Sequence, residues 1–179
     1  GRCAFSSFDS LTSITLPDSV TVLGDYAFYS CQNLTSVVLG SRVTSIGERA
    51  FNNCQSLENI TLPDGLMSIG YYAFQQCRNL QTVEILANVS VIPQSMFAWS
   101  QNLTSVTIPA TVTSIEWGVF DGCSSLSTVT YTGTEQMWDA IDIIEEGNSS
   151  LYNAELTCTG EFTEVPEIPV TEISVEASE

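Results

Sequence analysis

The sequence predicts an α/β repeat solenoid, in which a unit of 23 residues is stacked several times along one axis. Two observations support this fold class. Five consecutive blocks of equal length share one apolar pattern, and a single block is too short to bury its own apolar residues. The blocks are 11–33, 34–56, 57–79, 80–102 and 103–125. Residues 1–10 match the closing half of an earlier unit, so we expect the chain to be part of a longer precursor.

The first half of each unit is predicted to be a short strand. Each block opens with Leu-x-x-(Ile/Val)-x-(Leu/Ile), as in Leu57, Ile60 and Leu62. Alternation of apolar and polar residues is typical of a half-buried strand. Proline, which has no N–H for further pairing, follows in three units: Pro17, Pro63 and Pro109. Stacking such units in register predicts a parallel sheet.

The second half of each unit carries an apolar pair, a turn residue and an Ala-Phe pair. In 57–79 the Ala-Phe pair is Ala73-Phe74, and Cys77 follows three residues later. The Phe-x-x-Cys spacing fits one turn of helix or 3-10 helix, with Phe and Cys on a common face. The predicted core therefore consists of stacked rows of Leu, Ile, Phe and Cys.

The pattern changes towards the end of the chain. We expect a solenoid over 1–160, with a partial first unit (1–10), five 23-residue units (11–125) and a capping unit (126–160). In the capping unit Met137, Trp138, Ile141 and Ile144 recur at helical spacing; Asn148 begins an Asn-x-Ser sequon to which we assign no function. Residues 161–179 hold six glutamates and two prolines, which predicts an acidic linker leading to a further domain.

The charge of the chain disfavours several function classes. It has 21 acidic residues against 4 arginines, with no lysine or histidine, for a net charge of −17. Such a surface repels phosphate backbones and anionic lipid, so we expect no nucleic-acid binding. No apolar run reaches the eighteen or so residues of a membrane span, so we expect no membrane insertion. Ser-His and Cys-His catalysis are impossible without histidine.

The six cysteines point to packing instead of chemistry. Four of them, Cys31, Cys54, Cys77 and Cys123, occupy one position of the repeat. Zinc sites use cysteines two to four residues apart, so we predict buried, reduced thiols, no metal and no cofactor. Glu58 and Glu84 are a formal carboxylate pair for glycoside chemistry, but a solvated face is the favoured interpretation. We therefore predict no catalytic residue and no enzyme activity.

The outward positions of the predicted strands form a candidate binding face. They are Ser13, Thr15, Ser36, Val38, Asn59, Thr61, Thr82, Glu84, Ser105, Thr107, Thr128 and Thr130. In one interpretation these residues merely suit strands and keep the face soluble. In the other they form a shallow, hydroxyl-rich groove for an extended polypeptide or a glycan.

Aromatic residues flanking the Ala-Phe pairs form a rival patch. They are Tyr26, Tyr29, Tyr71, Tyr72, Trp99 and Trp117. Exposed aromatic rings stack on sugars or anchor protein contacts. Packing between neighbouring units is an equally good interpretation, and the sequence leaves the two open.

The unit Leu-x-x-Ile-x-Leu-Pro-x-x-Val-x-x-Ile-Gly-x-x-Ala-Phe-x-x-Cys resembles the BspA-like, or Treponema-type, leucine-rich repeat over residues 1–125. The resemblance implies a right-handed leucine-rich-repeat array, with parallel strands on the concave face and short helical or 3-10 turns on the convex face. It also implies bacterial surface-exposed or secreted proteins with adhesive or matrix-binding roles. The motif carries no catalytic residue.

These observations favour a non-catalytic binding module of a bacterial surface or secreted protein. Its partner would be an unidentified protein or glycan of a host or a neighbouring cell, and its location extracellular or at the cell surface. The alternative is a structural spacer that presents a neighbouring domain of a larger cell-surface protein. An enzyme is a distant third hypothesis.

Overall fold

Each 23-residue unit contributes two short strands to the solenoid. The computed structural model describes residues 1–161; the predicted linker at 162–179 lies outside the described residues. In chain order the elements are β1 (Ser13–Thr15), β2 (Val22–Leu23), β3 (Ser36–Val38), β4 (Ser45–Ile46), β5 (Asn59–Leu62), β6 (Ser68–Ile69), β7 (Thr82–Ile85), β8 (Val91–Ile92), β9 (Ser105–Ile108), β10 (Ser114–Ile115), β11 (Thr128–Tyr131), α1 (Glu135–Asp139), β12 (Asp142–Ile143), α2 (Ser149–Tyr152) and β13 (Glu155–Cys158). Together they form a parallel-strand solenoid of about six turns, as the repeat predicts.

The longer strands stack in parallel on one side of the solenoid. One sheet has the order β13-β11-β9-β7-β5, and β1 pairs with β3 beside it. The register advances by one repeat at each step, so that Asn59 lies opposite Thr82, Thr82 opposite Ser105 and Ser105 opposite Thr128. Equal unit length therefore places equivalent residues side by side.

A second parallel ladder runs along another side of the solenoid. It consists of two-residue strands in the orders β2-β4-β6 and β8-β10-β12. The sequence pattern identified these residues only as an apolar pair, because two residues are too few to show an alternation. One residue of each such strand points inward, as Ile46 and Ile92 do.

The Ala-Phe half of each unit is built from turns, and here the structure differs from the predicted helix or 3-10 helix. Within residues 1–127 no helical segment is present. Some N–H groups bond three residues back, as Tyr29 does to the carbonyl of Tyr26 at 3.1 Å. Intervening ones bond to the next unit, as Phe28 does to the carbonyl of Ala50 at 2.7 Å. A continuous helix is impossible because half of its donors serve the neighbouring unit.

Two left-handed positions in each unit make this alternation possible. Within residues 1–161, ten non-glycine residues have φ between 52° and 65°: Cys3, Ser7, Tyr26, Ser30, Arg49, Asn53, Tyr72, Gln76, Ser95 and Trp99. In 103–125 the same two positions are Gly118 and Gly122. Residues other than glycine are sterically strained in this conformation. The hydrogen bonds between units offset that strain.

Replacing Gln76 with glycine is expected to raise the free energy of unfolding by about 0.5–1 kcal/mol. Gln76 has φ of 60°, which glycine adopts without strain. Gln81 is the matched control, since it is exposed just before β7, where glycine is expected to destabilise. Urea unfolding followed by circular dichroism measures both. A Gln76→Gly variant less stable than the wild type would contradict the strain argument.

The core is a set of rows that run along the solenoid. Phe28, Phe51 and Phe74 are at most 1% exposed, and their rings stack at 5.1 and 5.2 Å between centroids. The Cys77 thiol donates to the carbonyl oxygen of Phe51 at 3.2 Å, and the bond recurs along the cysteine row. Ser100 takes the same position and donates to the carbonyl of Phe74. A buried donor, which either residue supplies, is what this position requires.

Residues 126–161 add strands to both ladders but lack the Ala-Phe turn segment of the repeat. β12 pairs with β10, and β13 pairs with β11. Ile141 and Leu151 are buried against the last unit, with Trp138 partly buried beside them. The helical spacing expected here is realised only in α1, whose N-cap Thr134 accepts a hydrogen bond from the N–H of Met137.

Candidate functional site

The structure brings the twelve predicted face residues into two stripes. In the five-stranded sheet, Asn59, Thr82, Ser105 and Thr128 form one stripe. Thr61, Glu84, Thr107 and Thr130 form the other. Ser13 pairs with Ser36, and Thr15 with Val38, in the two-stranded sheet. We call these twelve residues the strand face.

Two residues of β13 extend the strand face. Glu155 lies opposite Thr128, and Thr157 lies opposite Thr130. The sequence did not predict them because the segment around β13 lacks the repeat motif. The register of the sheet is the only signal that identifies them.

Hydroxyl, amide and carboxylate groups dominate the strand face. The eight predicted residues of β1, β3, β5 and β7 are exposed, and the four of β9 and β11 are partly buried. The Thr82 hydroxyl donates to Oδ1 of Asn59 at 2.5 Å, and that of Thr61 donates to Glu84 at 3.4 Å. Glu84 lies opposite Thr61 and Thr107, so no second carboxylate faces it across the strands. This arrangement offers recognition groups and no paired acids.

A groove interrupts the strand face between β3 and β5, which lie side by side without forming a ladder. Pro63 has no N–H to donate across this gap, whereas Leu86, at the equivalent position, donates to the carbonyl of Leu62 at 2.9 Å. The groove has a volume of roughly 600 Å³. Its lining includes four strand-face residues and two further apolar side chains: Ser36, Val38, Asn59, Thr61, Leu39 and Leu86.

Val38 and Leu86 give this β3–β5 groove apolar surface. Val38 is 53% exposed and Leu86 is 48% exposed. The groove therefore combines apolar contact with hydroxyl and amide groups in one depression, which is how binding sites commonly fix orientation. The sequence named Val38 as a face residue and offered a shallow groove as one interpretation of the face, but it did not indicate that the depression lies between β3 and β5.

The six predicted aromatic residues divide between the two interpretations. Tyr26 and Tyr72 pack around Arg49, whose guanidinium lies 4.3 Å from the centroid of the Tyr72 ring and donates to the Tyr26 hydroxyl. The Trp99 ring lies over Gly122 of the next unit, where a Cβ would approach it to 2.7 Å. Tyr71 and Trp117 are 50% and 39% exposed. Contacts between units therefore account for part of this set.

The thiols of the cysteine row are buried and protonated. Cys31, Cys54, Cys77 and Cys123 are free and buried, as predicted. Burial raises the pKa of the Cys77 thiol to about 12, against a smaller opposing effect of a hydrogen bond from the Cys54 backbone. Burial likewise raises the pKa of Cys123 to about 12. These thiols stay protonated at neutral pH, and the thiolate is the form that attacks or binds a metal.

Metal binding and membrane spanning each require a recognisable arrangement of residues, and residues 1–161 contain neither arrangement. No three His, Cys, Asp or Glu side chains of this part of the chain lie together as a metal site requires. In the same range no helix is both long enough and apolar enough to cross a membrane.

The family of the chain follows from its repeat. The sequence model of the BspA type leucine rich repeat region matches residues 1–127 in 6 copies. The chain belongs to this family. Within the BspA type units of this chain, the rows of Leu, Ile, Phe and Cys recur from unit to unit, whereas the strand-face residues differ between units.

Solved bacterial structures share the BspA type fold. A leucine-rich repeat protein from Eubacterium ventriosum is 31% identical over 68% of this chain, with a TM-score of 0.65. The leucine-rich repeat protein of Treponema pallidum is 34% identical over 67% of it, with a TM-score of 0.64. The pneumococcal vaccine antigen PcpA is 25% identical over 69%, with a TM-score of 0.57. No curated protein sequence matches the chain.

The chain spans only part of these relatives: 34% of the Eubacterium protein, 58% of the Treponema protein and 31% of PcpA. BspA type repeat proteins are typically non-catalytic. The chain is thus a repeat module of a bacterial protein family, of a kind that binds partners or provides structure.

Proposed function

We propose that this chain is a non-catalytic binding module of a bacterial surface or secreted protein, and that its strand face holds an extended polypeptide or glycan. The observation that carries the proposal is the β3–β5 groove, which is lined by four strand-face residues. Adhesion to a protein or glycan of a host or a neighbouring cell is the role that fits such a face. The similarity to a pneumococcal vaccine antigen supports a location at the cell surface.

The spacing of the strand face suits a ligand that runs across several units. Equivalent residues on neighbouring parallel strands lie about 4.8 Å apart. An extended ligand crossing the strands therefore meets a hydroxyl or amide at each step, from Asn59 through Thr82 and Ser105 to Thr128. Val38 and Leu86 add apolar contact at the groove, where the ligand would be most fully desolvated.

The charge of the face restricts the partner. Glu84 and Glu155 lie on the stripes, and Asp64 lines the groove. With a net charge of −17 on the whole chain, an anionic partner would be repelled. A neutral or basic partner fits this surface, and a sulfated glycan or a nucleic acid does not.

We also propose that residues 126–160 cap the array and that 161–179 link it to a further domain. Ile141 and Leu151 support the first part, because they cover the last turn of the core. A spacer role is the second candidate function. It is favoured by the uniform stack of units, which makes an elongated body without needing any ligand.

A screen of the purified chain against matrix proteins, mucins and neutral glycans tests the proposal. We expect a partner whose affinity falls at least tenfold in the double variant Thr61→Lys/Thr107→Lys, because two cations then displace hydroxyls from the stripe. The matched control is Thr21→Lys/Thr113→Lys, two exposed threonines next to β2 and β10 on the other ladder. It is expected to keep the affinity within about twofold, as surface changes outside an interface do.

Three outcomes would overturn the proposal in different ways. A screen without any partner would favour the spacer. A partner that binds both double variants equally would place binding elsewhere on the chain. If the chain hydrolysed a glycan and lost that activity in Glu58→Gln or Glu84→Gln, the enzyme hypothesis would be supported again.

A further inference from the structure

The second ladder has an interruption of its own. At each regular step the residue that follows a two-residue strand donates its N–H to the preceding unit. These bonds are Gly47 to Leu23 at 2.9 Å, Gly70 to Ile46 at 2.8 Å, Glu116 to Ile92 at 3.0 Å and Ile144 to Ile115 at 3.0 Å. Pro93 takes this position after β8 and has no N–H. The carbonyl of Ile69 therefore receives no such bond, and β6 and β8 belong to different sheets.

The gap opens a groove of roughly 330 Å³, which we call the Pro93 groove. Apolar side chains form much of its lining. Met67 is 77% exposed, Tyr71 is 50% exposed and Val91 is 38% exposed. Large apolar side chains this exposed and this close together mark an interaction site more often than a random surface does.

The polar groups of the Pro93 groove are mainly acceptors. Glu48 and Glu116 contribute carboxylates, and Ile69 contributes the carbonyl that Pro93 leaves without its ladder partner. Arg49 pairs with Glu48. Glu116 forms no ion pair within residues 1–161, and it accepts the N–H of Gln94 at 2.8 Å. No basic residue lines the groove.

We propose that the Pro93 groove docks a partner protein through a segment in which arginine or lysine stands next to an apolar residue. The long stem of such a cation packs on Met67 and Tyr71, while its charged head reaches Glu116 and the Ile69 carbonyl. The apolar neighbour covers Val91. We assign the cation to a partner protein, because this chain has no lysine and 4 arginines against 21 acidic residues. The site is separate from the strand face and goes beyond the function proposed above.

Methyl NMR of the full chain tests this proposal, because the chain has 3 methionines in distinct surroundings. Met67 lies in the groove, Met137 is 44% exposed on α1, and Met96 is fully buried. The probe is a decapeptide in which arginine alternates with leucine, added to protein labelled at the methionine methyl groups. We expect the Met67 signal to shift in a saturable way while the Met137 and Met96 signals stay in place.

The charge requirement is tested separately. The same decapeptide with citrulline in place of arginine keeps the shape without the charge. Glu116→Gln keeps an oxygen for the Gln94 N–H and is expected to weaken binding of the arginine peptide about two- to fivefold, as losing one exposed ion pair does. Thr21→Lys is the control variant, and it is expected to bind the peptide as the wild type does. Thr21 lies beside β2, in a unit far from the Pro93 groove.

Several results would overturn the proposal. They are an unchanged Met67 signal at millimolar peptide, equal shifts at Met67 and Met137, and equal affinity for the citrulline peptide. A Met67 signal that moves with protein concentration alone would assign the groove to a second copy of this chain. None of these results bears on the strand face, so the two proposals fail independently.

Discussion

Replacing Phe74 with alanine is expected to lower the free energy of unfolding by about 3–5 kcal/mol. Phe74 is fully buried, and its ring stacks on Phe51 at 5.2 Å and on Phe97 at 6.0 Å. The backbone ladders on either side hold the units at a fixed spacing, so the cavity cannot close. Urea unfolding followed by circular dichroism measures the loss.

Phe5→Ala is the matched control for this substitution. Phe5 occupies the same row but is 41% exposed, with Phe28 as its stacked partner. We expect a loss of about 1 kcal/mol there, since much of the ring already contacts water. Equal losses at Phe5 and Phe74 would contradict the idea that stability resides in the continuous row. A solenoid also permits the units on either side of Phe74 to unfold separately, which a broadened transition would reveal.

The second large effect is expected at Asn148, where alanine should cost about 3 kcal/mol or more. Asn148 is fully buried, and its Oδ1 accepts the N–H of Phe120 at 3.0 Å. Its Nδ2 donates to the carbonyls of Glu116 and Ile144 at 2.8 and 2.7 Å. In earlier units a backbone carbonyl of the next unit receives the equivalent N–H, so Asn148 stands in for a missing unit. Alanine leaves these buried groups without partners.

Asn153→Ala is the control for Asn148→Ala. Asn153 is exposed at the end of α2, and we expect a change below about 0.5 kcal/mol. Hydrogen exchange provides a local readout, because the Phe120 amide should lose protection in Asn148→Ala before the Phe51 amide does. Unchanged protection of Phe120 would show that this hydrogen bond is not what closes the array.

The sequence predicted those parts of the fold that depend on apolar periodicity. The burial of Leu57, Ile60 and Leu62 and that of Phe74 and Cys77 follow directly from the 23-residue repeat. The family resemblance is confirmed by the match over residues 1–127. All of these positions are defined by burial, and burial is the property that side-chain type reports best.

Features that depend on backbone conformation could not be predicted in the same way. Tyr72 and Gln76 adopt left-handed φ although neither is glycine, so their residue types give no signal. The helix predicted from Phe-x-x-Cys is wrong for the same reason, since spacing alone cannot show that alternate N–H groups bond to another unit.

The candidate site was predicted in part. Eight strand-face residues lie in register in the five-stranded sheet and four in the two-stranded sheet, because alternation fixes which residues point outward. The Pro93 groove lies beside a proline whose missing N–H matters only once the neighbouring carbonyl is known. Pro63 by itself does not account for the β3–β5 groove, since Pro109 at the equivalent position leaves β7 and β9 paired. The sequence indicated Pro63 only as the end of a strand. Asn148 had no assigned role, because Phe120 and Glu116, two of its three hydrogen-bond partners, are distant in sequence.

Photo-crosslinking of the partner found in the screen tests the central claim most directly. A benzoylphenylalanine placed at Thr61, on the strand face beside the β3–β5 groove, is compared with one placed at Thr21, which is exposed next to β2. The proposal predicts a crosslinked complex from position 61 and none from position 21. Crosslinking from position 21 alone, or with equal yield from both, would contradict binding through the strand face.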